Sequence, residues 1–110
     1  MAKFLFQASY AAEGIKGLEK DKASGRKAAL SKAVENLGGK LEALYWAFGE
    51  HDWVLLADLP DNASATAFSL AVSRSGLLRV TTTSLVSVEE MDMALQKEPN
   101  FQAPGQFTGG

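Results

Sequence analysis

From residue 3 the chain alternates, with Phe4, Phe6 and Ala8 on one side and Leu5, Gln7 and Ser9 on the other. This is the two-residue period of a strand with one strongly apolar face. After Tyr10 the pattern changes to charged and small residues. Gly14, Gly17 and Gly25 interrupt a helical run, which predicts a helix from near Glu13 that breaks or bends near Ser24-Gly25. Beyond that point Leu30, Ala33, Val34 and Leu37 recur at helical spacing. Gly38-Gly39 then stops the helix, because glycine takes the left-handed C′ conformation without a Cβ penalty.

Leu41 to Phe48 reads as an aromatic-rich strand with Ala43, Tyr45 and Ala47 on one side and Leu44, Trp46 and Phe48 on the other. The short loop Gly49-Glu50-His51-Asp52 leads into a nearly all-apolar strand, Trp53 to Leu59. Asp61 is placed as the N-cap of a helix from Asn62 to about Ser75, and Gly76 ends it. Leu77 to Leu85 is a fourth strand, its threonine run favoured by β-branching. Ser87 and Glu90 have capping-box spacing, with Val86 and Met91 as a hydrophobic staple, so a last helix is expected to run to about Lys97, before Pro99.

The order strand, helix, strand, strand, helix, strand is the split-βαβ, ferredoxin-like α+β arrangement: a four-stranded antiparallel sheet with both main helices on one face. One domain over residues 1–98 and a tail over 99–110 are expected, with Phe101 and Phe107 in the tail available to dock on a neighbour. The helices cover one side only, yet Phe4, Leu5, Phe6, Tyr45, Trp46, Phe48 and the Trp53–Ala57 run put apolar residues on both. Covering about 500 Å² of such surface at about 25 cal/mol per Å² is worth about 12 kcal/mol before association costs. The expected partner is therefore a second copy, in a homodimer or a higher homo-oligomer. A sheet curled around a ligand cavity is the alternative.

Composition narrows the class. Of 110 residues, 46% are apolar and 22% charged, as in a globular protein, and the absence of cysteine excludes disulfides, thiolate catalysis and Cys-based metal sites. The start, Met1 to Gln7, matches neither a secretory signal nor a membrane span, so a cytoplasmic location and no membrane partner are expected. The net charge of −2 argues against nucleic acid as a partner. So does the lack of the aromatic and basic strand motif of RNA-recognition modules. From Gly14 to Lys40 seven bases, including Arg26, stand against three acids: a solvated helix face or an anion-attracting surface.

His51 is the only histidine, so no His-rich metal site forms within one chain. Beside Asp52 in a loop, it is either a general base oriented by that carboxylate or a solvated turn residue. Tyr10 and Ser9 stand at the rim of any pocket beneath the helices or at a dimer interface, with hydroxyls suited to a small polar ligand. Trp46 and Trp53 are core, interface or substrate platform. Arg79 and Thr81 share the strand face opposite Leu78 and Val80. An arginine there either pairs with Asp52 or Asp58 across an interface or binds a carboxylate ligand. No phosphate-binding loop, nucleophile elbow or metalloprotease motif is present, and no cofactor is implied.

Across residues 3 to 90 several segments resemble the GYD-domain family of small bacterial proteins. They are Tyr10 with Gly14 and the Lys-rich helix, Asn36-Leu37-Gly38-Gly39, Tyr45-Trp46, Gly49-Glu50-His51-Asp52-Trp53, Leu59-Pro60-Asp61, and Gly76 leading through Arg79 to Thr81-Thr82-Thr83. At His51 the chain carries histidine where the family's namesake pattern has tyrosine, so no role of that phenol is transferred. The resemblance implies a ferredoxin-like fold of the dimeric α/β-barrel type. Two functions then stand open. One is a homo-oligomer that binds a small apolar or carboxylate ligand at the sheet or dimer cleft. The other is a cofactor-independent monooxygenase or isomerase using His51, Asp52 and Tyr10.

Overall fold

The alternating and helical patterns resolve, in a computed structural model that describes residues 1–106, into seven elements. They are β1 (Ala2–Tyr10), α1 (Ala12–Asn36), β2 (Lys40–Trp46), β3 (Trp53–Leu59), α2 (Asn62–Arg74), β4 (Leu78–Ser84) and α3 (Val88–Leu95). The strands form one sheet in the order β2-β3-β1-β4, and every neighbouring pair is antiparallel. This is the ferredoxin-like α+β topology, with β1 and β3 central and β2 and β4 at the edges. Phe107, in the expected tail, lies outside the described residues.

Registration of β1 on β3 places Phe4, Phe6 and Ala8 beside Ala57, Leu55 and Trp53. All six are buried beneath Leu30 and Val34 of α1 and Ala65 and Phe68 of α2. The rings of Phe6 and Phe68 meet edge to face at 4.7 Å, a favoured aromatic geometry. Local hydrogen bonds set the start of α2 and the end of α1. The Asp61 carboxylate accepts from Ser64 N–H at 2.8 Å at the start of α2. At the end of α1, Gly38 N–H donates to Glu35 O and Gly39 N–H to Val34 O. That is a Schellman motif, with Gly38 in the left-handed region at φ 83°. Gly39 also allows β2 to enter close to β3, since a Cβ there would run into the Asp58 carbonyl and the Leu59 side chain.

The sequence pattern and the structure differ at three places. The break in α1 falls at Lys22 (φ 66°, ψ 164°) and not at Ser24-Gly25. Gly14 fixes the first segment against Leu77, while Leu30 and Val34 fix the second in the core, and the chain turns between these anchors. Second, β2 ends at Trp46, because Ala47 N–H closes the hairpin on Asp52 O at 2.8 Å. Phe48 consequently sits in the loop, 99% exposed. Third, the helix-free face is less apolar than the pattern suggested: strand alternation sends Phe4, Phe6, Trp53 and Leu55 under the helices. The helix-free face keeps Leu5, Val54 and Leu56, flanked by Ala43 and Tyr45. A bulge between Leu41 and Ala43 sits on the edge strand, a position where bulges limit further pairing.

At the far end of that face, Lys3 is bonded to Asp58 at 3.0 Å and to Glu42. These two hydrogen bonds, Glu42's first, raise the Lys3 pKa above the ordinary lysine value. Among the described residues no helix is long and apolar enough to cross a membrane.

Lys22 occupies a backbone region suited almost only to glycine, which costs of order 1–3 kcal/mol. Lys22→Gly is therefore expected to stabilise the fold by about 1–2 kcal/mol in urea unfolding; an unchanged or lower midpoint would show that the turn carries no strain. Gly39→Ala is expected to destabilise it by about 1–3 kcal/mol in the same measurement, from overpacking against β3.

Candidate functional site

A cavity of about 270 Å³ lies between α1, α2 and the ends of β1, β3 and β4. It owes its existence to small residues. Gly14, Gly17 and Asp21 recur along one side of the first α1 segment, and a Cβ at Gly17 would meet no neighbour within 4 Å. At Gly14 the requirement is different, because a Cβ there would collide with the Leu77 carbonyl and the Tyr10 ring. Phe68, Leu30 and Trp53 supply the apolar wall. For scale, an engineered apolar cavity of about 150 Å³ accepts benzene.

Tyr10, Asp21, Arg26 and Ser75 are the polar side chains that line this cavity. The phenol oxygen accepts a hydrogen bond from Trp46 Nε1 at 3.2 Å. Indole N–H only donates, so the phenol proton is left to donate in turn. No acceptor for it is found among the described residues. Arg26 reaches across the break in α1 to Asp21 at 3.4 Å, a long single contact that leaves guanidinium donors free. Burial raises the Tyr10 pKa. Opposing it, in decreasing order, are the Trp46 hydrogen bond, the Arg26 charge and the Trp53 indole.

On the other face of the sheet a second recess, of about 330 Å³, is lined by Ser9, Glu50, His51, Arg79, Val80 and Thr81. Ser9 and Arg79 are register partners on β1 and β4, with Gln7 and Thr81 the next pair on that face. Ser9 Oγ donates to Glu50 O at 3.0 Å, and Thr81 Oγ1 to Gln7 O at 3.4 Å. His51 Nδ1 is shielded from solvent and has no hydrogen-bond partner among the described residues.

The residues singled out in the sequence thus fall into two groups. Tyr10, held by a hydrogen bond from Trp46, lines the helix-side cavity, whereas Ser9, His51, Arg79 and Thr81 meet on the helix-free face. Asp52 belongs with neither. Its carboxylate accepts from Tyr10 N–H at 2.7 Å, and its own N–H donates to Ala8 O, so it ties the end of β1 to the start of β3. Arg26 as a cavity residue was missed; it stood only among the bases of a basic helix. The available signal was the spacing of Gly14, Gly17 and Asp21, which leaves a thin strip on one side of α1. No group of three or more His, Cys, Asp or Glu side chains is placed to hold a metal ion among the described residues.

An antiparallel β2-β3-β1-β4 sheet with two covering helices and a small apolar cavity beneath them defines a ferredoxin-like α+β domain. Its family follows from comparison with known proteins: the GYD domain model matches residues 4–95, and the chain belongs to that family. No curated protein matches the chain.

The raised Tyr10 pKa has a definite sign in stability. Folding favours the neutral phenol, so this contribution is whole below the unfolded value of about 10 and is lost as pH rises through the higher folded value. Tyr45→Phe leaves Tyr10 as the only tyrosine. In that variant, phenolate absorbance is expected to develop above the ordinary tyrosine range, and a midpoint at or below about 10 would contradict the burial described.

Proposed function

We propose that the protein is a homo-oligomeric binding domain for a small, mainly apolar molecule bearing one carboxylate. The ligand is held between α1, α2 and the sheet. The observation that carries this reading is the Tyr10 phenol, fixed by the Trp46 indole with its proton left to donate, in an apolar cavity that also holds Arg26. Apolar walls with a few convergent polar groups are the usual composition of a small-molecule site. A carboxylate matches Tyr10 and Arg26, accepting the phenol proton and a charge-assisted bond from the guanidinium donors that the single 3.4 Å contact with Asp21 leaves free.

Binding is favoured over an oxygenase or isomerase activity by the separation of the candidate groups. A mechanism built from Tyr10, His51 and Asp52 needs them around one cavity. Tyr10 and His51 instead line recesses on opposite faces, and the Asp52 carboxylate is engaged by a backbone N–H. Self-association belongs to the same reading. Leu5, Val54 and Leu56 form an apolar centre on the helix-free face, which a second copy would cover.

Octanoate is a suitable probe, since its chain matches the apolar wall and its head the phenol and guanidinium. Titration followed by tryptophan fluorescence is expected to saturate, because Trp46 and Trp53 both border Tyr10. Arg26→Gln is expected to weaken octanoate by about tenfold, equivalent to about 1.4 kcal/mol, while leaving octanol unaffected. If octanoate and octanol bind equally and Arg26→Gln changes neither, the carboxylate assignment fails. If neither saturates, the cavity is not a binding site.

A further inference from the structure

The last helix presents an unmet need. α3 has eight residues and a complete capping box, with Glu90 N–H donating to Ser87 Oγ at 3.0 Å and Ser87 N–H to Glu90 Oε1 at 3.1 Å. None of its residues is buried, and it has no substantial packing against the sheet or the other helices. Val88, Met91 and Leu95 recur along one side and are 74%, 50% and 75% exposed. Caps contribute about 1 kcal/mol each, but an isolated helix this short is marginal in water; packing of an apolar side normally supplies the stability. The dimensions agree with an arm that stands off its own domain. The radius of gyration is 18.2 Å, against about 13 Å for a compact chain of this length, and the longest axis is 66 Å.

Charge and shape both point to what covers this arm. Residues 86–98 carry Glu89, Glu90, Asp92 and Glu98 against Lys97 alone, whereas the rest of the chain carries ten bases against nine acids. The helix-free face of the sheet offers an apolar strip, Leu5, Val54 and Leu56. At one end of that strip Lys3 bonds both Glu42 and Asp58, and Lys40 is the register partner of Asp58, so two bases stand with two acids there. Arg79 borders the strip with no ion pair among the described residues, although Glu50 lines the same recess. An acidic helix with one apolar side is complementary to this face. The arm leaves edge strand β4 through a connection of only three residues, 85–87, and extends away from the body. In the structure α3 does not pack on its own sheet, so its apolar side and the helix-free face are both left uncovered within one chain, and a second copy can cover both.

We infer that α3 is an exchanged arm: in the homodimer each copy lays the Val88, Met91 and Leu95 side of α3 on the helix-free face of the other's sheet, over Leu5, Val54 and Leu56, with its acids toward Arg79. The inference rests on the self-association proposed above and specifies how it is made. Two-fold symmetry then forms the contact twice, so each arm and each face is used once.

The test compares the full chain with Met91→Gln/Leu95→Gln, whose glutamines keep helix propensity while removing the apolar side. Light scattering is expected to give a dimer for the full chain and a monomer for the double variant, with octanoate binding unchanged because the cavity lies on the opposite face. Arg79→Glu is expected to raise the dimer dissociation constant by about tenfold, from a lost charge pair. Because the chain has no cysteine, Val54→Cys/Met91→Cys can be joined by a short bismaleimide, and the product is expected at dimer mass. A monomeric full chain overturns both the arm and the proposed self-association. A dimer that survives Met91→Gln/Leu95→Gln overturns the arm alone. So does a cross-link at monomer mass, or none.

Discussion

The contact between the helix-facing side of the two central strands and the aromatic and aliphatic side chains above it organises the rest of the molecule. Phe4, Phe6, Trp53 and Leu55 can be buried together only if β1 and β3 are adjacent and in their observed register. A slip of one residue would move the whole set to the other side. With that register fixed, Leu5, Val54 and Leu56 have no choice but the opposite face. The composition of the uncovered side is thus a by-product of the covered one. Phe68 closes the contact from above by meeting Phe6 edge to face. Toward the Tyr10 end the large side chains give way to Gly14 and Gly17, and that is where space remains.

Much of this architecture is legible in the sequence because it is written in local chemistry. Asp61, the Gly38-Gly39 pair and the Ser87–Glu90 box act within a few residues of themselves, and each forms where its spacing predicts. The period-two patterns of β1 and β3 likewise identify their buried sides without knowledge of their neighbours. What could not be read depends on contacts between distant segments. The break in α1 falls on a lysine because two anchors, one at Leu77 and one in the core, set the directions of its halves. The glycine at position 25, the obvious weak point in one dimension, lies within the second half. Phe48 looked like a strand residue by alternation, but the Ala47–Asp52 hydrogen bond removes it from the ladder.

The candidate site shows the same division. Tyr10 was identifiable from its place at the end of β1 and the start of a glycine-bearing helix. The residues grouped around His51 were separately visible as polar positions on strands and a loop. Their sorting onto two faces was not visible, because it follows from the parity of β1: Ser9 and Tyr10 are consecutive and therefore point to opposite sides. Arg26 was the least legible. On a helix with many lysines, nothing in the local pattern distinguishes the one base that the geometry brings beneath α2 and beside Tyr10.

The turn at Lys22 also bears on how anything would enter the space below it. An uninterrupted helix moves as a rod, so lifting its first ten residues would pry Leu30 and Val34 out of the core as well. With the rod divided at residue 22, the two pieces are joined by one backbone turn and the long Asp21–Arg26 contact. The upstream piece is held separately, by its close approach to Leu77 at Gly14, so displacing it to admit a guest would break that contact and leave the packing that holds the sheet in place.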